Sequence, residues 1–148
     1  MAVLIQPMLI PEYSFILHTV NPTNGDVDEV YMELAVGLGE TLASAETAGT
    51  PYRMIYSKRT REGEVLAYAS FSVALLPDAT REKLVRKTLD YSTVELSTNE
   101  PFRTRLATRL GAVGAFVERA LGKPQDTEGA FLEDKIYLVQ SRSQQGLG

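Results

Sequence analysis

Before Asn99, apolar and β-branched residues come in short runs broken by turn residues; after it, apolar positions recur at helical spacing. "AVLIQPMLI" (Ala2 to Ile10) and "YSFILHTV" (Tyr13 to Val20) read as consecutive strands separated by Pro11-Glu12. "NPTNGD" marks a turn, and "EVYMELAVG" (Glu29 to Gly37) a third strand. A glycine-bearing entry then leads into a short helix from about Glu40 to Ala45, closed by Gly49 and Pro51. "YRMIYSK", "EVLAYASFS" and "LVRKTLDYS" read as three further strands, the first two joined through "RTREG". From Asn99, with Pro101 in the first turn, Phe102, Leu106, Leu110, Val113, Phe116, Val117 and Leu121 form a stripe suited to dock on a sheet. Gly122 and Pro124 stop that helix. The predicted fold class is α+β, a mostly antiparallel sheet with one long and one short helix packed on it.

Composition narrows the chemistry. With 148 residues and 44% hydrophobic content, one domain spanning 1–148 can bury a sizeable core. The tail from Ser143 to Gly148 is polar and expected to fray. A net charge of −4 offers no field for a polyanion or an anionic membrane, so neither nucleic acid nor membrane is expected as a partner. The absence of cysteine excludes a disulfide framework, a thiolate metal site and a thiol nucleophile. The start, broken by Pro7 and Pro11, reads as neither signal peptide nor membrane span.

The closing stretch "DTEGAFLEDKIYLVQSR" reads as a hairpin whose last strand begins apolar and ends in an amide and a guanidinium. Ile136, Leu138, Gln140 and Arg142 share a face by the period-two rule. Register then decides whether Glu128 joins them. A two-residue turn at Glu133-Asp134 would set Glu128 opposite Val139, whereas a three-residue loop through Lys135 would set it opposite Gln140. The three-residue loop is predicted. A carboxylate beside an amide oxygen suits a hard cation that shares its ligands with phosphate, and Arg142 could then hold a phosphate oxygen. The ordinary alternative is a strand-end arginine paired with a surface carboxylate and a solvated glutamate.

Several motifs together resemble one family. "DTEGAFLEDKIYLVQSRSQ" is similar to the end of the ATP-grasp nucleotide-binding domain of the dikinases, which include pyruvate phosphate dikinase, phosphoenolpyruvate synthase and the glucan, water dikinases. "GLGETLASAETAGTP" most resembles the phosphoglucan, water dikinase members, and "VLIQPML" with "SFILHTVNPTNGD" resembles the family's paired strands. The resemblance implies a C-terminal ATP-grasp subdomain that uses ATP as substrate and Mg2+ as cofactor. It implies that Glu128 and Gln140 bind magnesium, that Gln140 and Arg142 contact the nucleotide phosphates, and that Arg142 acts on the transferring group. Glu40 matches a family glutamate supporting the nucleotide and metal, and Gln6 and Ser14 match positions lining the ATP pocket. Ser143 departs from the family's usual proline.

The implied parent is a phosphotransferase that converts ATP, glucan and water to AMP, phosphorylated glucan and phosphate through a phosphohistidine. Its phosphohistidine domain and its N-terminal ATP-grasp lobe would be this chain's partners, so the chain holds half a nucleotide site and is expected to be inactive alone. A plant or algal parent would sit in a plastid, and any other parent in the cytoplasm. The alternatives are a phosphoenolpyruvate synthase or pyruvate phosphate dikinase, and a non-catalytic module binding glucan or a partner through a sheet edge. His18, the single histidine, lies in the ATP-domain strand and is expected to be structural. "KRTREGE" fits a solvated hairpin tip, and Tyr52, Tyr56, Tyr68 and Tyr91 fit core or cross-strand positions.

Overall fold

A computed structural model describes residues 1, 3–43, 48–78, 80 and 83–146. Among the described residues the strands are β1 (Tyr13–His18), β2 (Glu29–Val36), β3 (Tyr52–Ser57), β4 (Gly63–Ala67), β5 (Val73–Pro77), β6 (Leu84–Thr88), β7 (Gln125–Leu132) and β8 (Lys135–Ser143). Six of them form an antiparallel sheet in the order β4-β3-β2-β1-β7-β8, and β5 and β6 form a separate hairpin. The helices are α1 (Glu40–Ala43), α2 (Glu95–Thr98) and α3 (Glu100–Leu121), with a 3-10 turn at Tyr91–Thr93. The architecture is the α+β arrangement that the patterning predicts. Among the described residues no helix is long and apolar enough to cross a membrane.

The long helix is well punctuated. Asn99 Oδ1 accepts from the Phe102 amide, Pro101 sits in the first turn, and Gly122 closes the helix at φ 70. One face of the sheet packs against it through Phe15, Leu17, Val30, Met32, Leu34, Tyr52, Met54 and Phe131. The helix side of this contact is rotated from the predicted stripe. Phe116 and Leu121 are exposed, and Gly111 and Gly114 face the sheet instead. A Cβ on Gly111 would lie 2.1 Å from Tyr56 Cβ, so only glycine lets helix and strand approach this closely. Arg103, also buried, donates from Nη1 to the carbonyls of Leu96 and Ser97 and so satisfies the end of α2.

Other expectations change. Residues 3–10 form no strand, and Leu4 and Ile5 are exposed; Pro7 and Pro11 lack the amides a ladder would need. Ala2 lies outside the described residues, as do Ser44 and Ala45 of the short helix expected to reach Ala45. Strand β5 went unpredicted, and "LVRKTLDYS" leaves β6 at Thr88 because Asp90 caps the 3-10 turn, accepting from the Ser92 amide. The tail is held past Ser143: Ser143 pairs with Gln125, while the Gln144 side chain accepts from the Val20 amide and donates to the Val20 carbonyl. Lys58, at the expected solvated tip, instead donates to the Thr19 and Val27 carbonyls at 2.6 Å each and pairs with Glu118. Tyr52, Tyr56 and Tyr91 are buried, whereas Tyr68 is half exposed under the Arg103 guanidinium.

Candidate functional site

The second face of the sheet, away from α3, mixes polar and apolar residues, and α1 packs at its Ser14 end. Directly opposed residues of an antiparallel pair share a face, so the strand register sets out rows across it. One row runs Tyr31, His18, Asp126, Arg142 from β2 through β1 and β7 to β8. The next runs Arg53, Glu33, Ile16, Glu128, Gln140. A third runs Ala35, Ser14, Ala130, Tyr137. Within this lattice the Tyr31 hydroxyl donates to Glu33 Oε1 at 2.9 Å, and Arg53 Nε lies 3.4 Å from the same oxygen. Burial first, and Glu33 second, push the Tyr31 phenol up to about 12.

Glu128 stands opposite Gln140, but by a different route from the predicted three-residue loop. The connection is a two-residue turn with Leu132 paired to Lys135, and Glu133 and Asp134 both adopt positive φ, 50 and 59. Arg109 on α3 fixes this turn, donating from Nη2 to the Asp134 carbonyl at 2.7 Å and from Nη1 to its carboxylate. Such a turn alone would set Glu128 against Val139. A β-bulge then inserts Val139 between Leu138, which opposes Gly129, and Gln140, which opposes Glu128. Gly129 permits the close approach here, because a Cβ would fall 2.2 Å from the Phe15 ring and 2.4 Å from the Tyr137 carbonyl oxygen.

A cavity of about 620 Å3 opens on this face, lined among others by Gln6, Ser14, Ile16, Gly39, Glu128 and Tyr137. The segment 6–11 that fails to form a strand is one of its walls. Ser14 is 3% exposed, and its Oγ is buried with no hydrogen-bond partner, so a donor and acceptor stands unsatisfied at the cavity wall. The structure thus brings Gln6, Ser14 and Glu128 around one space and sets Gln140 and Arg142 beside it along β8. Glu40 is exposed at the start of α1, next to the Gly39 wall, and is not itself part of the lining. Gly37 at φ 77 makes this bend; a Cβ there would lie 2.5 Å from the Leu75 carbonyl oxygen.

Asp126 is the main residue that sequence reasoning did not assign. Arg142 Nε donates to its Oδ2 at 2.8 Å and Nη2 lies 2.7 Å from the same oxygen. This hydrogen bond first, and the carboxylate's charge second, raise the Arg142 pKa above its ordinary value. The signal was present in "DTE": two carboxylates spaced by two on a strand share a face. His18, Glu33 and Arg53 follow from the same rule once β1 and β2 are aligned.

Comparison with known proteins decides the family. The description "Pyruvate phosphate dikinase, AMP/ATP-binding domain" matches residues 1–148. The chain belongs to that family. Alpha-glucan water dikinase of Solanum tuberosum is 32% identical over 97% of this chain and 12% of its own length. Rifampicin phosphotransferase of Streptomyces sviceus is 30% identical over 96% of the chain and 15% of its own length. Phosphoenolpyruvate synthase of Pyrococcus furiosus is 29% identical over 96% of the chain and 18% of its own length. The chain therefore spans less than a fifth of the length of these curated relatives.

Proposed function

We propose that this chain supplies the C-terminal half of a Mg·ATP site in a glucan, water dikinase-like phosphotransferase. The observation that carries the reading is Glu128, which lines the cavity on the sheet face away from α3 and has Gln140 directly opposite it. Among the described residues no group of three or more His, Asp or Glu side chains could hold a metal. One carboxylate and one amide oxygen are nonetheless the sparse, all-oxygen donor set that suits magnesium, which takes its remaining ligands from phosphate and water. Magnesium bound there would neutralise phosphate charge. Arg142 would hold a phosphate oxygen of the transferring group, Ser14 would offer its unpartnered hydroxyl to the nucleotide, and Gln6 would wall the pocket. Glu40 would support the nucleotide and metal from the neighbouring helix start.

In the parent protein the β-phosphate of ATP would pass to a histidine on another domain and then to a glucan, with the γ-phosphate released to water. A second, N-terminal lobe would complete the nucleotide site, so the isolated chain would bind weakly and not turn over. The "GLGETLASAETAGTP" stretch favours a phosphoglucan acceptor, and the names of the plant relatives favour a plastid. The phosphoenolpyruvate synthase relatives support a second reading, in which pyruvate is the acceptor. Incubating the parent with β-labelled ATP separates the two. Label in phosphoglucan with release of AMP and phosphate fits the first reading; label in phosphoenolpyruvate, with none in glucan, fits the second and rejects the first.

A further inference from the structure

His18 takes no part in the proposed nucleotide contacts, yet its surroundings are unusual for a merely structural histidine. Its Nδ1 is buried and has no hydrogen-bond partner. Asp126 Oδ1 lies 4.0 Å away across the β1–β7 pair. Arginine and carboxylate commonly meet fork to fork, one nitrogen on each oxygen. Here both Arg142 nitrogens converge on Oδ2, and Oδ1 makes no hydrogen bond among the described residues and is turned toward His18. One carboxylate thus stands between two cationic or donor groups and fully serves only one of them.

We infer that His18 is a positioning residue that competes with Arg142 for Asp126, and so sets how freely the Arg142 guanidinium can turn to a phosphate. This rests on the proposed role of Arg142. A proton on Nδ1 draws the Asp126 carboxylate round to close the 4.0 Å gap to hydrogen-bond length. That rotation draws Oδ2 from Arg142 and divides the carboxylate's charge. The other groups around His18 do not substitute for Asp126. Tyr31, its neighbour on β2 with ring centroids 6.3 Å apart, has its hydroxyl committed to Glu33. Glu128 lies in the next row of β7 beside Ile16. Binding of an anionic oligophosphate is therefore expected to strengthen as His18 gains its proton, while His18 itself touches no phosphate.

The single histidine makes the test clean. In the ligand-free chain, the Arg142 Nε–H signal is followed by NMR over a range of pH that carries the His18 ring signals from their alkaline to their acidic limit. The expected result is that it moves in step with the His18 ring signals in the wild type and stays fixed in His18→Gln and in Asp126→Asn. An Arg142 signal that ignores His18, or that moves equally in His18→Gln, overturns the inference. A second arm measures affinity for inorganic triphosphate with magnesium. Between the two ends of that range the wild type should gain about fivefold more than His18→Gln, in line with ordinary coupling between sites. Coupled NMR signals with no triphosphate binding in any variant would uphold the link between His18 and Arg142 and reject the nucleotide reading alone.

Discussion

The two faces of the central sheet are built from the same strands and obey opposite rules. Toward α3, alternate residues of β1, β2 and β3 are apolar and fully buried, and glycines on the helix let the layers close. Away from α3, serine, histidine, glutamate, arginine and tyrosine stand among Ile16, Ala35 and Ile55, several of the polar groups paired with one another and the Ser14 hydroxyl paired with nothing. Close packing explains the first face completely, because such surfaces stabilise a fold by burial and shape. It does not explain the second. Charged groups kept half-buried in rows, with an unsatisfied hydroxyl at a cavity wall, cost stability unless something binds there.

The sharpest break of this contrast is on the packed face. Gly111→Ala should destabilise the chain by about 3 kcal/mol, read as a lower denaturation midpoint, because its Cβ meets Tyr56 with no room for either to move. Alkali should unfold the chain through both faces. Burial is the leading cause that raises Tyr13 and Tyr91, beneath the packed layer, and Tyr31, on the open face, to about 12. Their folded values lie above the unfolded value of 10, so stability is intact below pH 10 and lost as pH climbs toward 12. Phenolate absorbance should therefore rise together with loss of circular dichroism. Asn99→Ala removes one helix cap and should cost about 1 kcal/mol without touching ligand affinity. Glu128→Gln on the open face should shift stability by no more than about 0.5 kcal/mol, since the lost charge sits at a surface rather than in the core.

These differences also explain what was legible in the sequence. The helix was readable at both ends, because Asn99, Pro101 and Gly122 each act locally. Its rotation was not, because two glycines decide it by what they allow a distant strand to do. The pairing of Glu128 with Gln140 was reached from the sequence through a loop that does not exist. A tight turn held by Arg109 displaced the register, and the bulge at Val139 restored it, and neither effect is visible in residue spacing alone. Asp126 was legible and passed over. Residues 3–10 look like a strand by composition, but Pro7 and the following Pro11 interrupt any ladder, Leu4 and Ile5 are exposed, and Gln6 to Leu9 wall the cavity.

The central claim is that the sheet face away from α3 is a ligand surface organised by Glu128 and Gln140. The most direct test is a backbone-amide NMR titration of this chain with ATP, with and without magnesium, on wild type and Glu128→Gln. Magnesium-dependent shifts should gather at Ser14, Glu128, Gln140 and Arg142, leave α3 unmoved, and weaken at least tenfold in the variant. Shifts that ignore magnesium, or that persist unchanged in Glu128→Gln, would contradict the account.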